Sequence, residues 1–176
     1  MFVKHTHDKC VVIGSSMGGW LAMLLVKKLQ DVNFTIAQRI AGLVLIAPAA
    51  DMTTELMWKD MPPAQRREIE ERGVIHRPSD YGDPLPITAR LLEDGVSHLI
   101  LKQGLEAICP VRILQGDADP DVPPQHAWKV YESIKSNDVT LTLIKGGDHR
   151  LSTPGNLALI RETALRLAER ADGINA

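Results

Sequence analysis

One stretch limits what this chain can fold into more than any other: "VVIGSSMGGWLAMLLV" at 11–26. With Cys10 it begins as a short apolar run rich in β-branched residues, stopped by Gly14, the pattern of a parallel strand buried on both faces. From Met17 to Leu29 the residues are apolar nearly all round until Lys27 and Lys28. That predicts a buried, central helix whose C-terminal end carries the two lysines. Two serines and three glycines join or open these segments, with almost no length for a loop. Such a join is a plain tight turn, a phosphate cradle or a seat for a nucleophile.

The phosphate reading lacks its chemistry. No Lys follows the glycines, as a P-loop needs, and no G-x-G opens a dinucleotide fingerprint. Gly14, Ser15, Ser16, Met17 and Gly18 instead match G-x-S-x-G between a predicted strand and a predicted helix, the context of a nucleophile elbow. A turn this sharp strains the serine backbone, so the positions two residues to either side, Gly14 and Gly18, are expected to be small by necessity. Ser16 then projects from the C-terminal end of the sheet. The Met17 N–H lies at the positive end of the helix, where an oxyanion would form.

The rest of the chain repeats the rhythm. "IAGLVLIAP" at 40–48, "PVRILQG" at 110–116 and "VTLTLIKG" at 139–146 read as further buried strands. A helix is expected across "DVPPQHAWKVYESIK", with Asp121 or Val122 near its N-cap, and another from Thr153 onward with Ile160, Ala164, Leu167 and Ala171 on one face. Strands alternating with helices imply one α/β domain over 1–176, with a parallel sheet covered on both faces. Residues 49–109 break the pattern and are too long for a loop. They read as a cap or lid insertion: a polar helix with a Glu68–Arg72 pair and a Gly73 stop, a turn-rich stretch, then a helix weakened by Gly95.

Composition excludes several classes. The 176 residues carry 20 basic and 22 acidic side chains, a net charge of -2, with no basic stripe for nucleic acid. No apolar run is long enough for a membrane span, and "MFVKHTHDKC" has no signal-peptide core, so a cytoplasmic protein is expected. Cys10 and Cys109 form no metal spacing or disulfide framework and read as small buried hydrophobes. His5 and His7 lack a third ligand and read as an exposed terminus, so no metal or cofactor is expected.

A serine nucleophile of this kind needs an acid and then a histidine further along the chain. "LQGDADPDVPP" offers Asp117, Asp119 and Asp121 after one strand, and "KGGDHR" offers His149 after the last. Open parallel sheets place their chemistry just past such strand ends. Asp117 follows a glycine and reads as a turn residue, and Asp121 reads as a helix cap, so Asp119 is preferred. His98 and His126 fall on predicted helices and His76 in the insertion; none follows the final strand. Asp148 reads as a turn residue, and Arg150 is given no catalytic role.

"VVIGSSMGGWLAM", "QGDADPDVP" and "KGGDHRLS" together resemble the α/β-hydrolase superfamily. "AGLVLIAPAADMTTELMW", "REIEERGV", "RPSDYG" and "LEDGVSHLIL" extend the resemblance to its abhydrolase-domain group of palmitoyl-protein thioesterases and acyl-glucuronide esterases, from Lys9 to about Leu151. The resemblance implies a triad of Ser16, Asp119 and His149 acting on acyl esters or thioesters, small or lipid-like, without a cofactor. It also implies a partial α/β-hydrolase fold of about four parallel strands. The N-terminal strands, and the loop that gives a second oxyanion N–H, would be missing, as in an N-terminally truncated copy. The nucleophile strand would then be an exposed apolar edge, open to self-association. The alternative function is a catalytically impaired, non-catalytic interaction module. Met52, Leu56, Met57, Trp58, Leu91 and Leu92 of the insertion are candidates for an acyl pocket.

Overall fold

A computed structural model of the chain describes residues 9–78 and 82–171. His5 and His7 lie outside the described residues. The chain divides into two compact units, Met1–Ala50 with Ile100–Ala176, and Asp51–Leu99. The first unit opens with β1 (Cys10–Ser15), α1 (Met17–Val32), the one-turn α2 (Phe34–Ala37) and β2 (Ile40–Ile46). The second holds a π-helical segment, Thr53–Trp58, then α3 (Pro63–Arg72), β3 (Val74–Arg77), β4 (Leu85–Thr88) and α4 (Ala89–Val96). The first resumes with β5 (Leu105–Glu106), β6 (Val111–Gly116), α5 (Pro124–Ser133), β7 (Ile134–Lys135), β8 (Val139–Ile144) and α6 (Pro154–Ala171).

The four strands expected from the sequence form one parallel sheet in the order β1-β2-β6-β8. Of the two inner strands, β2 is a continuous apolar run, as double-sided burial favours, and β6 is apolar at Val111, Ile113 and Leu114. Leu43, Val44 and Leu45 of β2 and Val111 and Ile113 of β6 are fully buried. Val44, Ile46 and Leu114 meet α6 through Leu167, with Leu159, Ile160 and Ala164 beside it. Burying one such leucine stabilises the fold by about 1.5–3 kcal/mol. Side chains alternate along a strand, so Leu43, Leu45 and Ile113 face the other way. The remaining helices on the sheet, α1 and α5, cover that face.

Three expectations about this unit are corrected. First, α1 is buried on one face only, through Trp20, Ala22, Met23 and Val26, while Leu21 is 54% and Leu25 45% exposed. It packs on β1, and β1 is an edge strand, so the helix has an outer side that no described residue covers. Second, Cys109 is buried but Cys10 is exposed, because Cys10 starts that edge strand. Third, the N-cap of α5 is Pro123, with Pro124 opening the helix and no side-chain cap from Asp121.

The second unit has its own core of Met61, Ile69, Ile75, Ile87 and Leu92, with Met57, Trp58 and Ala89 against it. Its polar helix α3 ends at Gly73, whose φ of 75° is the left-handed stop read from the sequence. The Glu68–Arg72 pair forms at 3.2 Å but is largely exposed, so it adds little. The turn-rich stretch contains an antiparallel pair, β3 with β4, in which Ile75 stands opposite Ile87. The sequence reading missed it because Pro86 and the turn residues mask strands this short. Thr88 caps α4 by accepting the Leu91 N–H at 3.1 Å. An apolar cavity of about 550 Å³ is lined by Trp58, Ile69, Leu92 and Val96 with Thr53 and Glu70. Of the six acyl-pocket candidates, Trp58 and Leu92 line it.

Candidate active site

The turn after β1 is as tight as its sequence requires. Ser16 has φ 53° and ψ -123°, a sparsely populated conformation for a residue with a Cβ. Holding it costs about 1–3 kcal/mol, which the surrounding hydrogen bonds offset. The Ser16 N–H donates to the Ile46 carbonyl at 2.8 Å, and the Ser16 carbonyl accepts from Gly19 at 2.9 Å and Ala49 at 3.1 Å. A Cβ on Gly14 would lie 2.9 Å from the Gly19 Cα and press on the backbone of Gly18. Gly18 was expected to be small for the same reason, but a Cβ there meets nothing within 4 Å. The steric need falls on Gly14, and on Gly19, whose Cβ would lie 3.0 Å from Pro48. Met17 is the first residue of α1, so its N–H has no partner within the helix.

Asp119 sits on the loop after β6 with its side chain fully buried. Oδ1 accepts the N–H groups of Asp121 and Val122, both at 2.9 Å. Oδ2 accepts from Gln115 Nε2 at 3.1 Å and faces His149 Nδ1 at 2.9 Å. Asp121 therefore gives this loop its backbone N–H rather than a helix cap. Asp117 does more than turn the chain: it accepts the Gly146 N–H at 2.6 Å and Lys145 Nζ at 2.8 Å, tying the loop after β6 to the loop after β8. The two loops also meet backbone to backbone, where the Ala118 N–H donates to the Gly147 carbonyl at 3.0 Å. A Cβ on Gly116 would come within 2.7 Å of the Asp148 carbonyl oxygen and closer still to Gly147, so only glycine fits this crossing.

His149 completes the line. Nε2 lies 3.0 Å from Ser16 Oγ. An ionised Asp119 only accepts, so Nδ1–H donates to it, leaving Nε2 to accept the Ser16 hydroxyl proton. Asp148 fixes the turn by accepting the Leu151 N–H at 2.8 Å, with Leu151 at φ 47°. Burial works to raise the Asp119 pKa. Hydrogen bonds from His149, Val122 and Asp121, with the imidazolium charge, outweigh it and hold the carboxyl below its ordinary value. The hydrogen bond to Asp119 raises the pKa of His149 against its own burial, helped by the charges of Asp119, Asp121 and Asp148.

The rival histidines lie elsewhere. His76 is on β3, His98 is just past α4 with Nδ1 2.8 Å from the Asp94 carbonyl, and His126 is buried in α5. Asp119, Asp121 and His149 cluster closely enough to consider a metal. However, the Asp119 oxygens are already met by N–H donors and the imidazole nitrogens by Asp119 and Ser16, which suits a proton relay better than a ligand set. Gln115 was not singled out from the sequence. Its signal was present: a second polar side chain in β6, after Arg112, placed directly behind the apolar Ile113 and Leu114.

Comparison with known proteins agrees with this fold. The prolyl oligopeptidase family matches residues 4–168. The human palmitoyl-protein thioesterase ABHD10, mitochondrial, is 26% identical over 166 residues, covering 93% of this chain and 52% of that protein. A crystal structure of a protein from Agrobacterium vitis S4 superposes with a TM-score of 0.86 at 39% identity, covering 92% of this chain and 62% of that one. The mouse α/β hydrolase domain-containing protein 10 gives a TM-score of 0.79 at 29% identity, covering 94% and 64%. The chain thus spans about half the length of the curated relatives it matches.

Proposed function

The chain belongs to the prolyl oligopeptidase family of the α/β-hydrolase fold, and from that premise we propose that it is a serine hydrolase of acyl esters or thioesters. The observation that carries the reading is the unbroken line from Ser16 Oγ through His149 to Asp119, with bonds of 3.0 and 2.9 Å. Ser16 Oγ attacks the acyl carbonyl carbon while its proton passes to His149 Nε2. The oxyanion forms against the Met17 N–H. The C–O or C–S bond then breaks, and His149 gives its proton to the leaving alcohol or thiol. Water, deprotonated by His149, releases the acid and restores Ser16. Asp119 keeps the tautomer and stabilises the imidazolium. A thioester substrate is favoured by the relatives named palmitoyl-protein thioesterases. The test is labelling by a fluorophosphonate and turnover of p-nitrophenyl esters and a palmitoyl thioester. A folded chain that neither labels nor turns over either substrate would sink the reading.

A different observation favours a second reading, that of an interaction module. β1 is an edge of the sheet, and Ile13 is 50%, Met17 45% and Leu21 54% exposed. An apolar strand edge is a template for pairing. On this reading two copies associate through β1, giving a dimer by light scattering that Ile13→Lys returns to monomer. A wild-type monomer at high concentration removes the reading.

A further inference from the structure

Gln115 is fully buried in β6, on the face of the strand that it shares with Val111 and Ile113. Its Nε2 faces three acceptors: the Gly116 carbonyl at 3.0 Å, the Val122 carbonyl at 2.9 Å and Asp119 Oδ2 at 3.1 Å. The amide nitrogen has two protons, so one of them is shared. Its Oε1, by contrast, is buried with no hydrogen-bond partner. A methionine would fill similar volume without that unsatisfied oxygen. The compensating gain therefore lies at Nε2, which grips the loop at Gly116 and Val122 and sets a proton against the oxygen that receives His149 Nδ1–H.

We propose that Gln115 is a positioning residue for Asp119, fixing its carboxylate so that Oδ2 is aimed at His149 and shared between two donors. The inference rests on the reading of Ser16, His149 and Asp119 as the reacting line. Without the amide, Oδ2 loses the donor that sets its direction from the β6 side, while Oδ1 stays held by the Asp121 and Val122 N–H groups. Where Oδ2 still meets His149, it holds the imidazolium harder, because one competing donor is gone. The other charges acting on His149, Asp121 and Asp148, are unchanged by the substitution.

The experiment compares wild type, Gln115→Met, Asp119→Asn and the double variant. Gln115→Met is expected to lower kcat by about 10- to 100-fold, as loss of an outer partner typically does. KM should hardly move, and the acid limb of the kcat/KM profile should shift to higher pH. Adding Gln115→Met to Asp119→Asn should cost nothing further, because Gln115 acts through the carboxylate. If Gln115→Met does not fold, Gln115→Asn serves, since its shorter side chain withdraws the amide. Wild-type kcat and pH profile in the variant, or equal losses in both backgrounds, would overturn the inference alone. A folded wild-type chain whose serine never labels would overturn the triad reading, and this inference with it.

Discussion

His149 Nε2 and Ser16 Oγ stand 3.0 Å apart although 133 residues separate them in the chain. Neither residue reaches the other by local structure; the parallel sheet brings the ends of β1 and β8 to the same side. If this contact transfers a proton, the two residues act as a unit. Ser16→Ala and His149→Ala should each reduce kcat by roughly 10⁶-fold, and the double variant should be no worse than either single one. Steady-state ester hydrolysis checks this. Additive losses would mean that the contact is not used.

The pKa directions fix the sign of the pH dependence. His149 must be neutral to accept the Ser16 proton, and its pKa is raised above 6.5, so kcat/KM should climb through an apparent pKa above that value. Stability runs the other way for this residue. The imidazolium's contribution is complete below the unfolded pKa near 6.5 and is lost as pH rises through the higher folded value. Asp119 is lowered from 3.8, so its contribution is present above 3.8 and lost as pH falls through the lower folded value. Asp119→Asn should cost about 10⁴-fold in kcat by favouring the wrong tautomer. Rate profiles and denaturant midpoints across pH 3–9 separate these effects.

The glycines near the two turns are not interchangeable. A Cβ at Gly14 or Gly116 runs into backbone that has nowhere to go. Alanine at either position should lower stability by about 1–3 kcal/mol and disturb the alignment of Ser16 or His149. At Gly18 a Cβ meets nothing, so Gly18→Ala should leave stability unchanged or raise it by up to about 1 kcal/mol. Thermal melts of the three variants test the ranking. Equal losses at Gly14 and Gly18 would contradict it.

Much of this arrangement could be read from the chain because its signals are local. Apolar runs bounded by Gly14, Pro48 and Gly116 mark the strands; Ser16 follows β1 directly, and His149 lies on the loop after β8. What was missed depends on which segments become neighbours. Gly18 looked as constrained as Gly14 because the motif is symmetric, yet the first turn of α1 crosses Gly14, whereas the Cβ direction of Gly18 is open. Asp117 looked like a turn residue because its partners, Lys145 and Gly146, lie one strand further on. The role of Gln115 required knowing that Val122 folds back over the end of β6.

The two cysteines show the same limit and give a last test. Each stands beside an apolar strand, and their flanking sequences do not tell them apart. Topology does: Cys109 leads into β6, between β2 and β8, whereas Cys10 starts the edge strand β1. Burial, then the nearby Cys10 charge, pushes the Cys109 thiol up to about 11. The thiolate is the reactive form, so Cys109 should be inert at pH 8 on both counts, access and ionisation. An Ellman titration of the native chain should count one fast thiol, and two once guanidinium unfolds it. Cys10→Ser should abolish the fast phase. Two fast thiols in the native chain would mean that Cys109 is open to solvent and that β6 is not held between β2 and β8.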